Sequence, residues 1–219
     1  MKAVIVAGGE PLPADKAQLA GADFLVAADA GASWLVDAGA TPDLLVGDLD
    51  SIPSDLLAQL EAAGVPIERH ASDKDASDAE LAVDRAVAGG AEEVVVIGAL
   101  GGERLDHELA NLLLLADPTL PTTLVDLSIV RGGTQVRAVR GPGRLELRGA
   151  VGDLVTLLPL AGDAGGVSTG GLRYPLDGEP LRFGRSRGVS NVVEGARASV
   201  SLESGTLLVI ETSREGDGR

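Results

Sequence analysis

The sequence contains no cysteine among its 219 residues. A disulfide framework and a metal site built on thiolates are therefore excluded. No run of apolar residues approaches the roughly 20 that a membrane-spanning helix needs. The apolar stretch at the N-terminus is short and is followed at once by Gly8 and Gly9, which is typical of a first β-strand rather than a signal peptide. These absences predict a soluble cytoplasmic protein.

Positive charge is also scarce. Lys and Arg number 18 against 33 Asp and Glu, and the net charge of −15 argues against nucleic-acid binding, because phosphate backbones are bound by basic surfaces. The acids are unevenly placed, since 22 of the 33 lie in residues 1–119. A solubilising surface explains such an excess, and a bound cation is the alternative explanation.

The chain divides into two parts by pattern. Residues 1–125 alternate apolar runs at 3–7, 24–28, 43–46 and 94–98 with helix patterns, one of which opens with a capping box of Ser77 and Glu80. This alternation predicts an α/β domain with a mostly parallel, Rossmann-like sheet. Residues 126–219 carry short alternating runs between frequent turn signals. They predict an all-β sandwich, with a frayed tail from residue 214.

Polar side chains follow several of the predicted strands. In open α/β sheets, ligands bind outside the carboxyl ends of the strands, so these positions are candidates for a site. The clusters comprise Asp29; Asp48 and Asp50; Asp73, Asp75 and Asp78; and Gly101, Gly102, Arg104, Asp106, His107 and Asn111.

Asp48 and Asp50 are two residues apart in extended chain, so their side chains point to the same side. Two such carboxylates repel unless a cation lies between them, and Mg²⁺ binds one or two carboxylates together with water and phosphate oxygens. An exposed strand end is the alternative for this pair. Simple helix capping is the alternative for Asp75 and Asp78.

Taken together, the clusters favour a magnesium–nucleotide site. Gly101 and Gly102 precede a helix, where backbone N–H groups can meet a phosphate, and Arg104 can pair with a phosphate oxygen. The chain has no GxxxxGK[ST] loop, which excludes a P-loop enzyme. It also lacks GxGxxG in the first strand–helix turn, which disfavours hydride transfer on a dinucleotide.

Six segments resemble those of the thiamine pyrophosphokinase family. They are ADAGA (28–32), PDLLVGDLDSI (42–52), DKDASDAELA (73–82), GGERLDHELAN (101–111), GLRYP (171–175) and GVSNVVEG (188–195). The resemblance implies transfer of pyrophosphate from ATP to the hydroxyethyl group of thiamine, which gives thiamine diphosphate and AMP. It further implies a catalytic domain at 1–125 that binds ATP and Mg²⁺, and a thiamine-binding and dimerisation domain at 126–219. The expected assembly is a homodimer with the site at the subunit interface.

The resemblance also implies roles for individual residues. The implied catalytic residues are Asp48, Asp50, Asp78, Arg104 and Asp106, with Asp78 or Asp106 as the proton acceptor. The implied ATP-binding residues are Asp29, Asp73, Lys74, Asp75, Gly101, Gly102 and Arg104. The implied metal ligands are Asp48, Asp50, Asp75 and Asp78, and the implied substrate-binding residues are Ser190, Asn191 and Asp106.

Two alternatives keep part of this assignment. A pyrophosphokinase for another heterocyclic alcohol, such as a hydroxymethylpterin, would share the ATP motifs. A non-catalytic homologue would bind thiamine or nucleotide without turnover.

The chain departs from the family pattern at Glu103, which lengthens the Gly-Gly-Arg loop, and it has no Trp in its second half. Some members of the family that the chain resembles place a Trp in this part, where it stacks on thiamine. Tyr174 or Phe183 could take its place, but the pattern favours them as β-core residues.

Overall fold

The computed structural model describes residues 1–121 and 123–214. Two compact units make up the chain, the first comprising Met1–Gly132 and the second beginning at Gly133. The predicted frayed tail lies outside the described residues beyond position 214. No helix in the described part of the chain is long and apolar enough to cross a membrane.

The first unit is a parallel sheet with short connecting helices. Its strands are β1 (Lys2–Val6), β2 (Phe24–Ala28), β3 (Leu44–Gly47), β4 (Ile67–Arg69), β5 (Glu93–Ile97) and β6 (Asp126–Arg131). They lie in the order β4-β3-β2-β1-β5-β6, and every pair between neighbours is parallel. The α-helices are α1 (Gly31–Asp37), α2 (Ser54–Ala62), α3 (Asp78–Ala88) and α4 (Leu105–Leu114), and a 3₁₀ helix spans Pro13–Leu19.

The core of the first unit explains why its strands are continuous apolar runs. Val4, Ala27, Leu45 and Ile97, from four different strands, are fully buried, because both faces of a parallel sheet are covered. Asp15, from the 3₁₀ helix, is also buried, and its carboxylate accepts the backbone N–H groups of Leu12 and Gly132 at 2.7 and 2.6 Å. The buried charge is thus satisfied by hydrogen bonds, as buried polar groups must be.

The second unit is built from antiparallel strands. They are β7 (Thr134–Arg140), β8 (Gly143–Glu146), β9 (Leu154–Gly170), β10 (Glu179–Leu181), β11 (Asn191–Val192), β12 (Ser199–Leu202) and β13 (Ser204–Thr212). The 17-residue strand β9 pairs with β10, β11, β12 and β13. Ala161 has a left-handed φ of 61° within β9, and the register of the β9–β13 pair shifts between Ser204 and Thr206.

The predicted fold class, a Rossmann-like domain followed by an all-β sandwich, is wrong. The described strands are of mixed parallel and antiparallel type, with five helices of which one is 3₁₀. The first unit lacks the 3-2-1-4-5-6 strand order of the Rossmann fold, since β4, β3 and β2 all lie on one side of β1. In the second unit the long strand β9 pairs both with β13, which pairs with β7, and with β12, which pairs with β8. Local periodicity indicates strands and helices, but it does not determine strand order.

Candidate active site

A cavity of about 870 Å³ opens at the carboxyl ends of the parallel strands of the first unit. Segments that follow β1, β2, β3 and β5 line it, together with the loop before α3 and the first turns of α4. Its polar lining residues are Glu10, Asp29, Asp48, Asp50, Ser51, Ser72, Lys74, Asp75, Ser77, Asp78, Glu103, Arg104, His107, Glu108 and Asn111. Most of the residues predicted from the strand ends are therefore brought together, although Asp73 and Asp106 are not among the lining residues.

Three carboxylates converge on one wall of this cavity. Oxygen atoms of Asp29, Asp48 and Asp50 all lie within 4.8 Å of one another. Asp29 has a left-handed φ of 46° at the end of β2, a strained conformation of the kind found at functional sites. A Cβ on Gly47 would lie 3.1 Å from the Cβ of Asp29. Glycine at position 47, with φ of 150°, thus lets the ends of β2 and β3 approach closely.

The surroundings of Asp29 and Asp48 shift their pKa values in opposite directions. Burial, reinforced by the charges of Asp78 and Asp48, raises the pKa of Asp29 above its ordinary value despite its own hydrogen bonds. A hydrogen bond from the Ser72 hydroxyl, supported by the Asp50 backbone N–H at 3.3 Å, lowers the pKa of Asp48. The Oδ1 atom of Asp29 is buried and has no hydrogen-bond partner in the described part of the chain. An unpartnered carboxylate oxygen beside two further carboxylates fits a hard divalent cation such as Mg²⁺.

Asp78, another predicted metal ligand, forms an ion pair with Lys74. Lys74 Nζ lies 2.9 Å from Asp78 Oδ1, and both side chains are mostly buried. Burial opposes the charge of Lys74, but the hydrogen bond with Asp78 and the charges of Asp48 and Asp29 outweigh it and raise the pKa of the amine. Ser77 caps α3 by accepting the N–H of Glu80 at 3.2 Å, as the capping box predicts. That cap fixes the start of the helix on which Asp78 stands.

Arg104 is held by Asp106, two residues further along the chain. Its guanidinium donates two hydrogen bonds to the carboxylate of Asp106, at 2.9 and 2.6 Å, on the exposed start of α4. This contact holds the pKa of Asp106 well below its ordinary value. An acid with a lowered pKa is a weak proton acceptor, so the pairing reduces the suitability of Asp106 as a base.

The loop after β5 passes close to an arginine that the sequence pattern did not reveal. Gly101 has a left-handed φ of 78°, and a Cβ there would lie 2.5 Å from Nε of Arg131. The Nε atom of Arg131 is buried and has no hydrogen-bond partner in the described ranges. Asn111 donates a hydrogen bond of 2.9 Å to the carbonyl of Ala99 and so ties this loop to α4. Arg131 ends β6, a strand that the sequence pattern did not predict, and this is why it was missed.

Comparison with known proteins identifies the family. One family model, described as "Thiamin pyrophosphokinase, catalytic domain", matches residues 16–124, and another, described as "Thiamin pyrophosphokinase, vitamin B1 binding domain", matches residues 144–207. The chain belongs to the thiamine pyrophosphokinase family. The resemblance found in the motifs is therefore confirmed.

Individual members of the thiamine pyrophosphokinase family agree with this assignment. Thiamine pyrophosphokinase from Bacillus subtilis is 26% identical over 189 residues, which are 86% of each chain. Thiamine pyrophosphokinase 1 from Oryza sativa is 27% identical over 179 residues, which are 77% of this chain and 66% of the relative. The solved structure of thiamin pyrophosphokinase from Geobacillus thermodenitrificans is 27% identical, has a TM-score of 0.82, and aligns with 97% of this chain and 98% of its own.

The predicted substrate residues Ser190 and Asn191 lie in the second unit, within the part that matches the vitamin B1 binding model. Ser190 is exposed and has a left-handed φ of 59°, and its N–H donates to Thr156 Oγ1 at 3.0 Å. Asn191 is only 7% exposed. Its side chain is hydrogen-bonded to the backbone of Tyr174 and Val192.

The two aromatic residues of the second unit are not core residues. Tyr174 is 55% exposed and Phe183 is 59% exposed, so the favoured prediction that they pack in the β core is wrong. The core of this unit is aliphatic, with Val155, Leu157 and Leu207 at its centre. Alternation along a strand cannot show that a residue stands in a loop between strands, which is where both aromatics lie.

Proposed function

We propose that this member of the thiamine pyrophosphokinase family transfers the pyrophosphoryl group of ATP to the hydroxyethyl oxygen of thiamine, with AMP as the other product. The observation that carries the proposal is the match of a catalytic and a vitamin B1 binding model to successive parts of one chain. In this proposal residues 1–125 bind ATP and Mg²⁺ and perform the chemistry. Residues 126–219 bind thiamine and contribute to dimerisation.

Magnesium is held in this proposal at the carboxylate wall of the cavity. Asp48 and Asp50 are the predicted ligands, and Asp29 joins them because its carboxylate lies beside theirs and its buried Oδ1 has no hydrogen-bond partner among the described residues. Asp75 and Asp78, the other predicted ligands, line the same cavity and remain part of the proposed set. When bound, the ion neutralises phosphate oxygens and makes the β-phosphorus a better electrophile.

Cationic and backbone groups of the same cavity orient the ATP phosphates. Lys74 and Arg104 supply positive charge, and Gly101 and Gly102, which line the same cavity, offer backbone N–H groups to a phosphate. Asp29 and Asp73 are the remaining predicted ATP-binding residues. Catalysis of this kind depends on alignment and charge neutralisation rather than on a covalent enzyme intermediate.

The transfer moves one proton and one pyrophosphoryl group. The hydroxyethyl oxygen of thiamine forms a bond to the β-phosphorus, the bond from that phosphorus to the α,β-bridging oxygen breaks, and AMP leaves with the electron pair. The hydroxyl proton passes to a carboxylate. Asp78 is the better placed of the two predicted acceptors, since it lines the cavity and Asp106 does not. Ser190 and Asn191 are the proposed residues on the thiamine side.

We also propose that the working form is a homodimer with its site at the subunit interface. The surface of α4 supports this proposal. Leu105, Leu109 and Leu113 recur every four residues and are 67%, 52% and 56% exposed, and no residue of α4 is buried. A stripe of exposed leucines on one helix face is typical of an interface rather than of a solvated surface.

Neither alternative function is favoured. A hydroxymethylpterin as acceptor would not account for the match to a vitamin B1 binding model. A non-catalytic binding protein would have no need for the converging carboxylates of Asp29, Asp48 and Asp50.

A direct assay tests the proposed function. The purified chain is incubated with Mg²⁺, ATP and thiamine, and both AMP and thiamine diphosphate are quantified. We expect the two products in equal amounts, and no AMP when 6-hydroxymethylpterin replaces thiamine. AMP formation with the pterin but not with thiamine, or thiamine binding without any AMP, would refute the proposal.

A further inference from the structure

Arg131, the last residue of β6, packs against the Gly-Gly loop. A Cβ on Gly101 would lie 2.5 Å from its Nε, 2.7 Å from its Nη2 and 2.8 Å from its Cζ. The guanidinium therefore lies directly against the backbone of Gly101, where a larger residue would displace it. Gly101 lines the cavity, whereas Arg131 does not. The loop backbone thus lies between the guanidinium and the cavity.

The charge of Arg131 is unpaired within residues 1–121 and 123–214. Its buried Nε has no hydrogen-bond partner there, and none of the ion pairs of that part of the chain includes it. By contrast, Arg137 in the second unit donates to the Glu211 carboxylate at 2.6 Å. A buried N–H of a charged group without a partner costs stability, so its retention requires an explanation.

Contacts on both sides fix the position of Arg131. Val130, the residue before it, pairs with Ile97 of β5 in the parallel sheet. Gly132, the residue after it, donates its N–H to Asp15 Oδ1 at 2.6 Å. Asp15 is only 1% exposed and lies outside the cavity lining. This buried carboxylate therefore anchors the chain from which the guanidinium projects.

The loop that Arg131 contacts is joined to the loop after β1. Glu10 N–H donates to the carbonyl of Gly101 at 3.1 Å, and Gly9 N–H donates to the carbonyl of Gly98 at 2.9 Å. A Cβ on Gly9 would collide with that carbonyl oxygen of Gly98, so the two loops pack backbone against backbone. Both loops line the cavity. The guanidinium therefore supports a wall of peptide groups, which is a surface suited to phosphate oxygens.

We propose that Arg131 is a positioning residue for ATP, which holds the backbone of Gly101 in place and adds positive charge next to it without touching the nucleotide. This inference rests on the proposed function for its ligand. The charge matters because the same cavity holds the carboxylates of Asp29, Asp48 and Asp50, which repel phosphate groups. A fixed cation beside the phosphate-binding backbone offsets part of that repulsion.

Isothermal titration calorimetry with Mg²⁺ and an unreactive ATP analogue measures this contribution without turnover. Arg131→Met keeps most of the side-chain volume and removes the charge, and we expect it to weaken binding of the analogue about tenfold. Arg131→Lys restores the charge and should recover most of the affinity. Lys16→Met is the control, because Lys16 is exposed and lies outside the cavity lining. Equal affinity of Arg131→Met and the wild type would overturn the inference.

Salt dependence separates the charge of Arg131 from its packing. As NaCl is raised, the affinity for the analogue should fall less steeply in Arg131→Met than in the wild type, because the variant lacks one of the charges that salt screens. Arg131→Lys should keep the wild-type slope. Weaker binding by Arg131→Met with an unchanged slope would overturn the electrostatic role, since a loss of packing alone has that result.

A double-variant cycle tests the contact with Gly101. Gly101→Ala places a methyl group against the guanidinium, so its cost in unfolding free energy should be smaller when Arg131→Ala has removed that group. Strictly additive losses in urea denaturation would overturn the proposed support of the loop.

Kinetics distinguishes failure of this inference from failure of the proposed function. We expect Arg131→Met to raise the KM for ATP about tenfold and to leave the KM for thiamine within twofold of the wild type. Normal AMP release by the wild type, with an unchanged ATP KM in Arg131→Met, would overturn the inference alone. Weaker binding of the analogue by Arg131→Met, with no AMP formed by the wild type, would sustain the inference and refute the proposed transferase reaction.

Discussion

Asp29 combines an unusual backbone conformation with a position in the proposed metal site. The strand-end rule predicts that it belongs to the site, but not that its carboxylate lies within 4.8 Å of Asp48 and Asp50. That approach depends on the left-handed backbone at Asp29 and on the missing side chain at Gly47, neither of which a sequence pattern encodes. The ion pairs Lys74–Asp78 and Arg104–Asp106 were equally unpredicted, because side-chain pairing is decided by tertiary placement.

We predict that Asp29→Asn stabilises the protein in the absence of divalent cations. Because the pKa of Asp29 is raised in the folded state, the protein loses stability as the pH rises from the unfolded-state pKa, about 3.9, through the folded-state pKa. At pH 7 the ionised Asp29 is therefore destabilising. The variant should therefore have a higher Tm than the wild type at pH 7 in EDTA, and added Mg²⁺ should raise its Tm less. Differential scanning calorimetry measures both effects.

Asp55→Asn is the control for that experiment. Asp55 lies on the exposed surface of α2, outside the cavity, and the change also removes one negative charge. An equal gain in Tm from Asp55→Asn would mean that general charge repulsion, and not the local carboxylate cluster, is relieved.

At the scale of elements, the sequence predicted the strongly apolar strands and missed the others. The runs at 3–7, 24–28, 43–46 and 94–98 each coincide with a strand to within a residue. β4 has only three residues, two of them charged, and β6 carries polar residues at both ends, so neither has the continuous apolar run of a buried strand. The Gly-Gly loop was recognised as a candidate phosphate site, whereas its contact with Arg131 depends on the missed strand β6.

The packing of that loop leads to a second prediction. Gly101→Ala places a methyl group where the Arg131 guanidinium lies, in addition to the cost of a left-handed φ. Gly90→Ala is the matched control, because Gly90 has a similar φ of 89° with nothing within 4 Å of its Cβ position. We expect Gly90→Ala to lower the free energy of unfolding by about 1 kcal/mol, and Gly101→Ala to lower it further and to raise the KM for ATP.

Urea denaturation and steady-state kinetics measure these quantities. Equal losses of stability in the two alanine variants, together with an unchanged ATP KM in Gly101→Ala, would show that the contact between Arg131 and the loop has no role in shaping the site.

The whole molecule is an acidic chain that matches a catalytic and a vitamin B1 binding family model in successive parts, and its assembly is the property least accessible to sequence patterns. We predict a dimer in solution, and we predict that Leu109→Glu on α4 produces a monomer because it charges the middle of the exposed leucine stripe. Val125→Glu is the control, since Val125 is 80% exposed and stands outside α4. Light scattering gives the mass of each variant.

Loss of the dimer in Leu109→Glu should be accompanied by loss of turnover if the site lies at the subunit interface. A fully active monomer would refute the cross-subunit site, and a wild-type chain that is monomeric at assay concentration would refute the dimer itself.

The central claim is that the carboxylate wall of the cavity holds the Mg²⁺ on which pyrophosphoryl transfer to thiamine depends. The most direct measurement is AMP release as Mg²⁺ is titrated, compared between the wild type and Asp50→Asn. We predict saturable, Mg²⁺-dependent release for the wild type, and for Asp50→Asn a rate lower by about 100-fold at limiting Mg²⁺ with an unchanged circular dichroism spectrum. Near-normal release from Asp50→Asn at limiting Mg²⁺ would contradict the account.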